Sequence, residues 1–125
     1  MAANAQNTDS FDLQLNAAAD TSTGNCRLTY VAANRSELSF ERTAFEVGVF
    51  DADGAVTRLL VLEFGALVAG KTKILQFDLG ETACGSISRI VVNDVAACTQ
   101  SDGAESDFCM NGLVASSRTA IQFGI

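Results

Sequence analysis

Apolar and polar residues alternate without a break through Phe11-Asp12-Leu13-Gln14-Leu15-Asn16, and the same two-residue period returns in short stretches along the chain. A period of two sends successive side chains to opposite faces of a strand, whereas a helix repeats every 3.6 residues. A chain written in this period must bury one face of a sheet against another layer. Residues 26–34 set Leu28, Tyr30 and Ala32 against Thr29, Val31 and Ala33, and residues 44–50 place Phe45, Val47 and Val49 on one face. The second stretch stops at Asp51-Ala52-Asp53-Gly54, whose Asp and Gly residues suit a tight hairpin turn. Residues 56–67 fit two templates: Val56, Leu60, Leu62 and Phe64 suit a strand, while Val56, Leu59, Leu60, Glu63, Phe64 and Leu67 suit a helix, and the strand is favoured. After Gly70, residues 71–79 carry Leu75, Phe77 and Leu79 opposite Gln76 and Asp78. Residues 87–95 are rich in β-branched side chains, and Thr119, Ile121 and Phe123 alternate with Ala120, Gln122 and Gly124 as a closing strand. About seven short strands between Gly, Asp, Asn and Ser turns predict an all-β antiparallel sandwich.

Length and charge narrow the class further. A chain of 125 residues buries roughly 65% of its unfolded surface, enough for one core and too little for two. A hydrophobic fraction of 48% with 18% charged residues argues against disorder, and no apolar run approaches the roughly 20 residues of a membrane span. The formal charge is −7 with no cluster of Lys or Arg, so nucleic acid and anionic membrane surfaces are not expected partners. Ala3-Asn4-Ala5 has the small-residue form that signal peptidases favour. Residues 1–10 are therefore expected to be a flexible remnant left by signal-peptide removal, and residues 11–125 the sandwich domain of a periplasmic or secreted protein.

Four cysteines allow three disulfide connectivities. With no His in the chain, zinc would need all four thiolates, and their spacing is not that of a finger, ribbon or RING. Successive antiparallel strands reverse direction, so the strand opened by Cys26 and the one that follows Cys84 begin at the same end of the sandwich. A bridge between Cys26 and Cys84 is thus expected, with Cys98 and Cys109 stapling the connection at the opposite end. On the loop-entropy model these closures stabilise by roughly 4 and 3 kcal/mol.

The segment Phe45-Glu46-Val47-Gly48-Val49-Phe50-Asp51-Ala52-Asp53-Gly54, followed by Leu67-Val68-Ala69-Gly70-Lys71-Thr72-Lys73 and Phe77-Asp78-Leu79, resembles the bacterial immunoglobulin-like domains of the FxLYD type. The likeness covers residues 28–79 and implies an immunoglobulin-like sandwich without catalytic residues. The ending Ile90-Val91-Val92-Asn93-Asp94-Val95, with Cys98 and Cys109, is similar to small exported alphaproteobacterial proteins.

Chemistry is sparse. Zero His removes Ser–His–Asp and Cys–His arrangements, and one Tyr with no Trp is poor lining for a carbohydrate cleft. No enzyme activity and no cofactor are expected. Asp51 and Asp53, with Asp78, are candidate oxygen ligands for a divalent cation, but the residues after Gly54 supply no later acidic ligand and a self-bonded turn is favoured. Asn34-Arg35-Ser36 matches a glycosylation sequon, and Asn34 is read as a turn residue; Arg35, Arg42 and Arg58 are read as solvated sheet-face charges. Residues 99–111 form an acidic, cysteine-stapled loop in which Glu105 and Asp107 precede Phe108 and Met110. Those four residues are the candidate partner-binding set of a non-enzymatic module docking on another envelope protein, unless Phe108 and Met110 fold inward to cap the sandwich. Two alternatives are a self-assembling fibre or adhesin subunit using the first and last strands as edges, and a small-ligand or divalent-cation binder.

Overall fold

In the computed structural model, which describes residues 8–125, the alternating stretches become eight strands: β1 (Ser10–Asp20), β2 (Cys26–Arg35), β3 (Phe40–Asp51), β4 (Val56–Leu67), β5 (Thr72–Leu79), β6 (Ile87–Gln100), β7 (Leu113–Ser117) and β8 (Gln122–Gly124). One 3-10 turn, Cys84–Ser86, precedes β6, and a four-residue helix α1 (Phe108–Asn111) precedes β7. The first sheet has the order β5-β2-β1-β7 and the second β4-β3-β6-β8. Their inner faces meet in one core, where Phe11 of β1 sits edge-on to Phe45 of β3 at 5.4 Å. The all-β sandwich expected from the alternation is present, and residues 56–67 are strand throughout. Of the expected N-terminal remnant, residues 1–7 lie outside the described residues, while Ser10 already pairs with Arg35.

Two differences from the expectation concern the end of the chain. The sandwich has eight strands rather than seven, and it is not antiparallel throughout: β7 runs parallel to β1, and β8 parallel to β6. The cause is the return path after β6. Helix α1 carries the chain to the start of β1, where the Phe11 amide donates to the Gly112 carbonyl at 2.8 Å, so β7 leaves in the direction of β1. The expected closing strand shortens to three residues because the hydroxyls of Ser117 and Thr119 both donate to the Ile121 carbonyl, at 2.6 and 3.1 Å. Such local bonds compete with a ladder and turn the chain. In consequence β1 is an interior strand, while the last strand, β8, is an edge of the second sheet but only three residues long.

The core is aromatic where the sheets cross. Tyr30, Phe64, Phe77 and Phe123 make edge-to-face contacts with centroids 5.1 to 6.1 Å apart, a geometry that adds to the burial of the rings. The Tyr30 hydroxyl is the one buried side-chain polar atom among the described residues with no hydrogen-bond partner. Asn34 is not a turn residue but a buried post at the end of β2. Its amide donates to the carbonyls of Leu38 (2.7 Å) and Leu67 (3.1 Å), and its Oδ1 accepts from Ser36 (2.6 Å). Its backbone is tied to Gly70 and Lys71, so with the side-chain bond to Leu67 it pins the turn between β4 and β5. Cys26–Cys84 closes one end of the sandwich and Cys98–Cys109 anchors α1 to β6, both as expected.

Candidate functional site

The outer face of the second sheet is built from β4, β3 and β6. In the β3–β4 register Gly48 faces Leu59, Glu46 faces Val61 and Phe50 faces Val56. In the β3–β6 register Gly48 faces Val91, Glu46 faces Asp94 and Phe50 faces Arg89. Gly48 brings no side chain to this row, and the absence leaves a depression of about 90 Å³ lined by Phe50, Val56, Leu59, Val91 and Asn93. Its floor is the glycine: a Cβ there would stand 3.9 Å from both Leu59 Cδ1 and Phe50 Cε2, in ordinary contact. Around it Val56, Leu59 and Val61 are 58%, 59% and 49% exposed, three large aliphatic residues close together on one strand. Apolar residues scattered singly are normal on a surface, whereas these stand together around a hollow.

A polar rim surrounds this centre. Asn93 donates to Glu46 at 2.7 Å, and the Arg42 guanidinium grips Glu63 with contacts of 2.8 to 3.3 Å. That hydrogen bonding, aided by the positive charge, lowers the Glu63 pKa. At the other end the Arg89 guanidinium lies over the Phe50 ring, 4.4 Å from its centroid. Arg58 turns off the face and donates to the Gly80 carbonyl. β4 is an edge strand, and Lys73 covers part of that edge by donating to the carbonyls of Phe64 (2.7 Å) and Ala66 (3.1 Å). An apolar centre ringed by polar groups is the usual anatomy of a protein interface.

The residues singled out in the sequence lie elsewhere. Glu105 and Asp107 are exposed on the stapled loop, and Glu105 accepts from Thr99 at 3.2 Å. Phe108 lies parallel to Phe40, centroids 6.1 Å apart, and its ring fills the space that a Cβ on Gly112 would need, 2.5 Å away. Phe108 and Met110 are half-buried against the core, the inward arrangement named as the alternative. Asp51 Oδ1 accepts from the Asp53 and Ala55 amides at 2.9 and 3.0 Å, so the Asp-Ala-Asp-Gly stretch bonds to itself. Asp78 is not brought to that turn; it holds Arg27 at 2.8 Å on the first sheet. No group of three or more His, Cys, Asp or Glu placed to hold a metal ion occurs among the described residues.

Against known proteins, no family model and no curated protein matches the chain. One solved structure is similar. It is that of IrmA from Escherichia coli, with a TM-score of 0.67 at 10% identity, over 86% of this chain and 92% of that one. At this identity the likeness shows a shared fold. The two disulfides are those of a chain that matures in an oxidising environment. Among the described residues no helix is long and apolar enough to cross a membrane.

The sequence did hold a signal for the β3–β4–β6 face. Residues 56–67 fitted both helix and strand because apolar residues stand at odd and even positions alike. A half-buried strand has no need of Leu59 and Val61 beside Leu60 and Leu62.

Proposed function

We propose that this chain is a non-enzymatic protein-binding module, periplasmic or secreted, that docks on another cell-envelope protein through the outer face of its second sheet. The observation that carries this reading is the Gly48-floored depression flanked by exposed Val56, Leu59 and Val61. Each of these side chains is about half covered, so a partner that completes the burial gains roughly 1 kcal/mol from each. The sheet beneath is rigid, which keeps the ordering cost of docking low. The stapled loop takes a supporting part here, with Phe108 and Met110 holding α1 to the core.

The test is an affinity capture from native envelope extract, read by mass spectrometry, with the intact protein, with Leu59→Asp, and with Phe108→Ala plus Met110→Ala. A stoichiometric partner that survives the loop changes and is lost with Leu59→Asp fits the reading. Loss with the loop changes alone overturns the choice of face.

Self-assembly is the second reading, and it now rests on β4, a twelve-residue edge strand. Strict monomers at high concentration exclude it.

A further inference from the structure

We propose that the side chain this face takes from its partner is a lysine or arginine, its aliphatic stem laid over Gly48 between Leu59 and Val91 and its charged head held by Glu46 and Asp94. The inference rests on the docking reading above and adds the chemistry of the partner.

Three observations carry it. The first is register: Glu46 on β3 stands directly opposite Asp94 on β6, one step from the row that holds Gly48, Leu59 and Val91. Like charges facing each other across a sheet are destabilising unless a cation joins them. The second is that the described residues supply no such cation. The basic side chains of the second sheet are engaged elsewhere, Arg42 on Glu63, Arg89 over Phe50 and Arg58 on the Gly80 carbonyl. No ion pair to Glu46 or Asp94 occurs among the described residues. Glu46 is instead steadied by Asn93, a lining residue of the depression, and Asp94 Oδ1 accepts from the Val95 amide at 2.8 Å.

The third observation is the shape and polarity of the hollow. At about 90 Å³ it has room for the order of three waters, and so for one slender side chain rather than an indole. A lysine or arginine stem covers apolar surface while its head stays with the polar rim. Arg89 stands over Phe50 in the register row on the far side of Gly48 from Glu46, so a bound cation is repelled from that end and drawn to the carboxylates. The net charge of −7 adds a long-range attraction for a basic partner.

The test uses the whole protein and three blocked synthetic pentapeptides that alternate valine with lysine, with serine or with glutamate, followed by amide NMR at low and high salt. The lysine peptide is expected to move the amide signals of Gly48, Leu59 and Val91 and to bind about tenfold more tightly than the serine peptide, with the advantage shrinking in high salt. The double change Glu46→Gln plus Asp94→Asn, at exposed or half-exposed positions, removes that preference, and Gly48→Val blocks binding while the carboxylates remain. Shifts of equal size with all three peptides, or a lysine preference that survives the double change, overturn the basic-partner inference and leave the docking face standing. An absence of shifts at the face with every peptide overturns the inference as well, and the docking reading is then decided by the extract capture with Leu59→Asp.

Discussion

The two outer faces of this sandwich are made from the same kind of ladder and differ in what the outward positions carry. On the first sheet, outward residues pair off: Arg27 with Asp78 at 2.8 Å, Arg35 with Asp12, and Gln76 donating to Thr29 at 3.1 Å. Its exposed aliphatic residues, Ile74 and Val114, stand on opposite edge strands with β2 and β1 between them. On the second sheet the aliphatic residues are gathered around a glycine and the charges are pushed to the rim. Both faces expose apolar atoms. Arrangement rather than amount separates the two faces, and clustered side chains are the ones a single partner could desolvate together.

The largest expected effect is a paired test of that contrast. Leu59→Asp should reduce partner affinity by about a hundredfold or more, as loss of a central anchor does. Ile74→Asp, at a residue 68% exposed against 59% for Leu59, should leave it unchanged by the same titration calorimetry. Equal losses would break the comparison. Next in size, Gly48→Val should fill the hollow and weaken binding about tenfold, while thermal stability stays level or rises, since glycine inside a strand costs roughly 0.5–1 kcal/mol. A large drop in melting temperature would instead give Gly48 a structural role.

Between the faces, Tyr30→Phe should be neutral or stabilise by about 1 kcal/mol, because it deletes a buried hydroxyl that has no partner. Burial raises the Tyr30 pKa above its ordinary value of 10.0. The unfolded chain ionises first, so this contribution is whole below about pH 10 and is lost as the pH rises toward the raised value. Tyr30 is the sole tyrosine and there is no tryptophan, so phenolate absorbance should appear only together with unfolding, and Tyr30→Phe should flatten the alkaline decline. The smallest effect is Asp78→Asn on the first face. The exposed Arg27 hydrogen bond lowers the Asp78 pKa, so the pair acts above the ordinary carboxylate value of 3.8 and fades as the pH falls through the lowered one. No resolvable shift in thermal midpoint at neutral pH is expected, and a clear one would show that this face is more than solvated.

Most of the sandwich was legible because the period of two survives wherever a strand has one wet face, as in Phe11-Asp12-Leu13-Gln14-Leu15. β7 was not, since Leu113-Val114-Ala115-Ser116-Ser117 holds one large inward residue, Leu113, and gains its place from β1 rather than from its own pattern. The disulfide pairing was legible because it follows from strand direction alone. The β3–β4–β6 face showed only as the double fit of residues 56–67 to helix and strand, without its position in the fold. Whether Phe108 turns in or out depends on the space above Gly112 and the position of Phe40, neither of which is local in sequence. Conversely, the importance of Gly48 lies in what its neighbours across two strands leave uncovered.

The order of the cysteines has a consequence for how this molecule is made. The bridges join first to second and third to fourth, so each pair is complete as soon as its later member arrives. An oxidant that links thiols in the order they emerge produces the native set directly, and no reshuffling enzyme is required. Strands β7 and β8, one in each sheet, come after all four thiols, so under such an oxidant covalent closure precedes completion of either sheet.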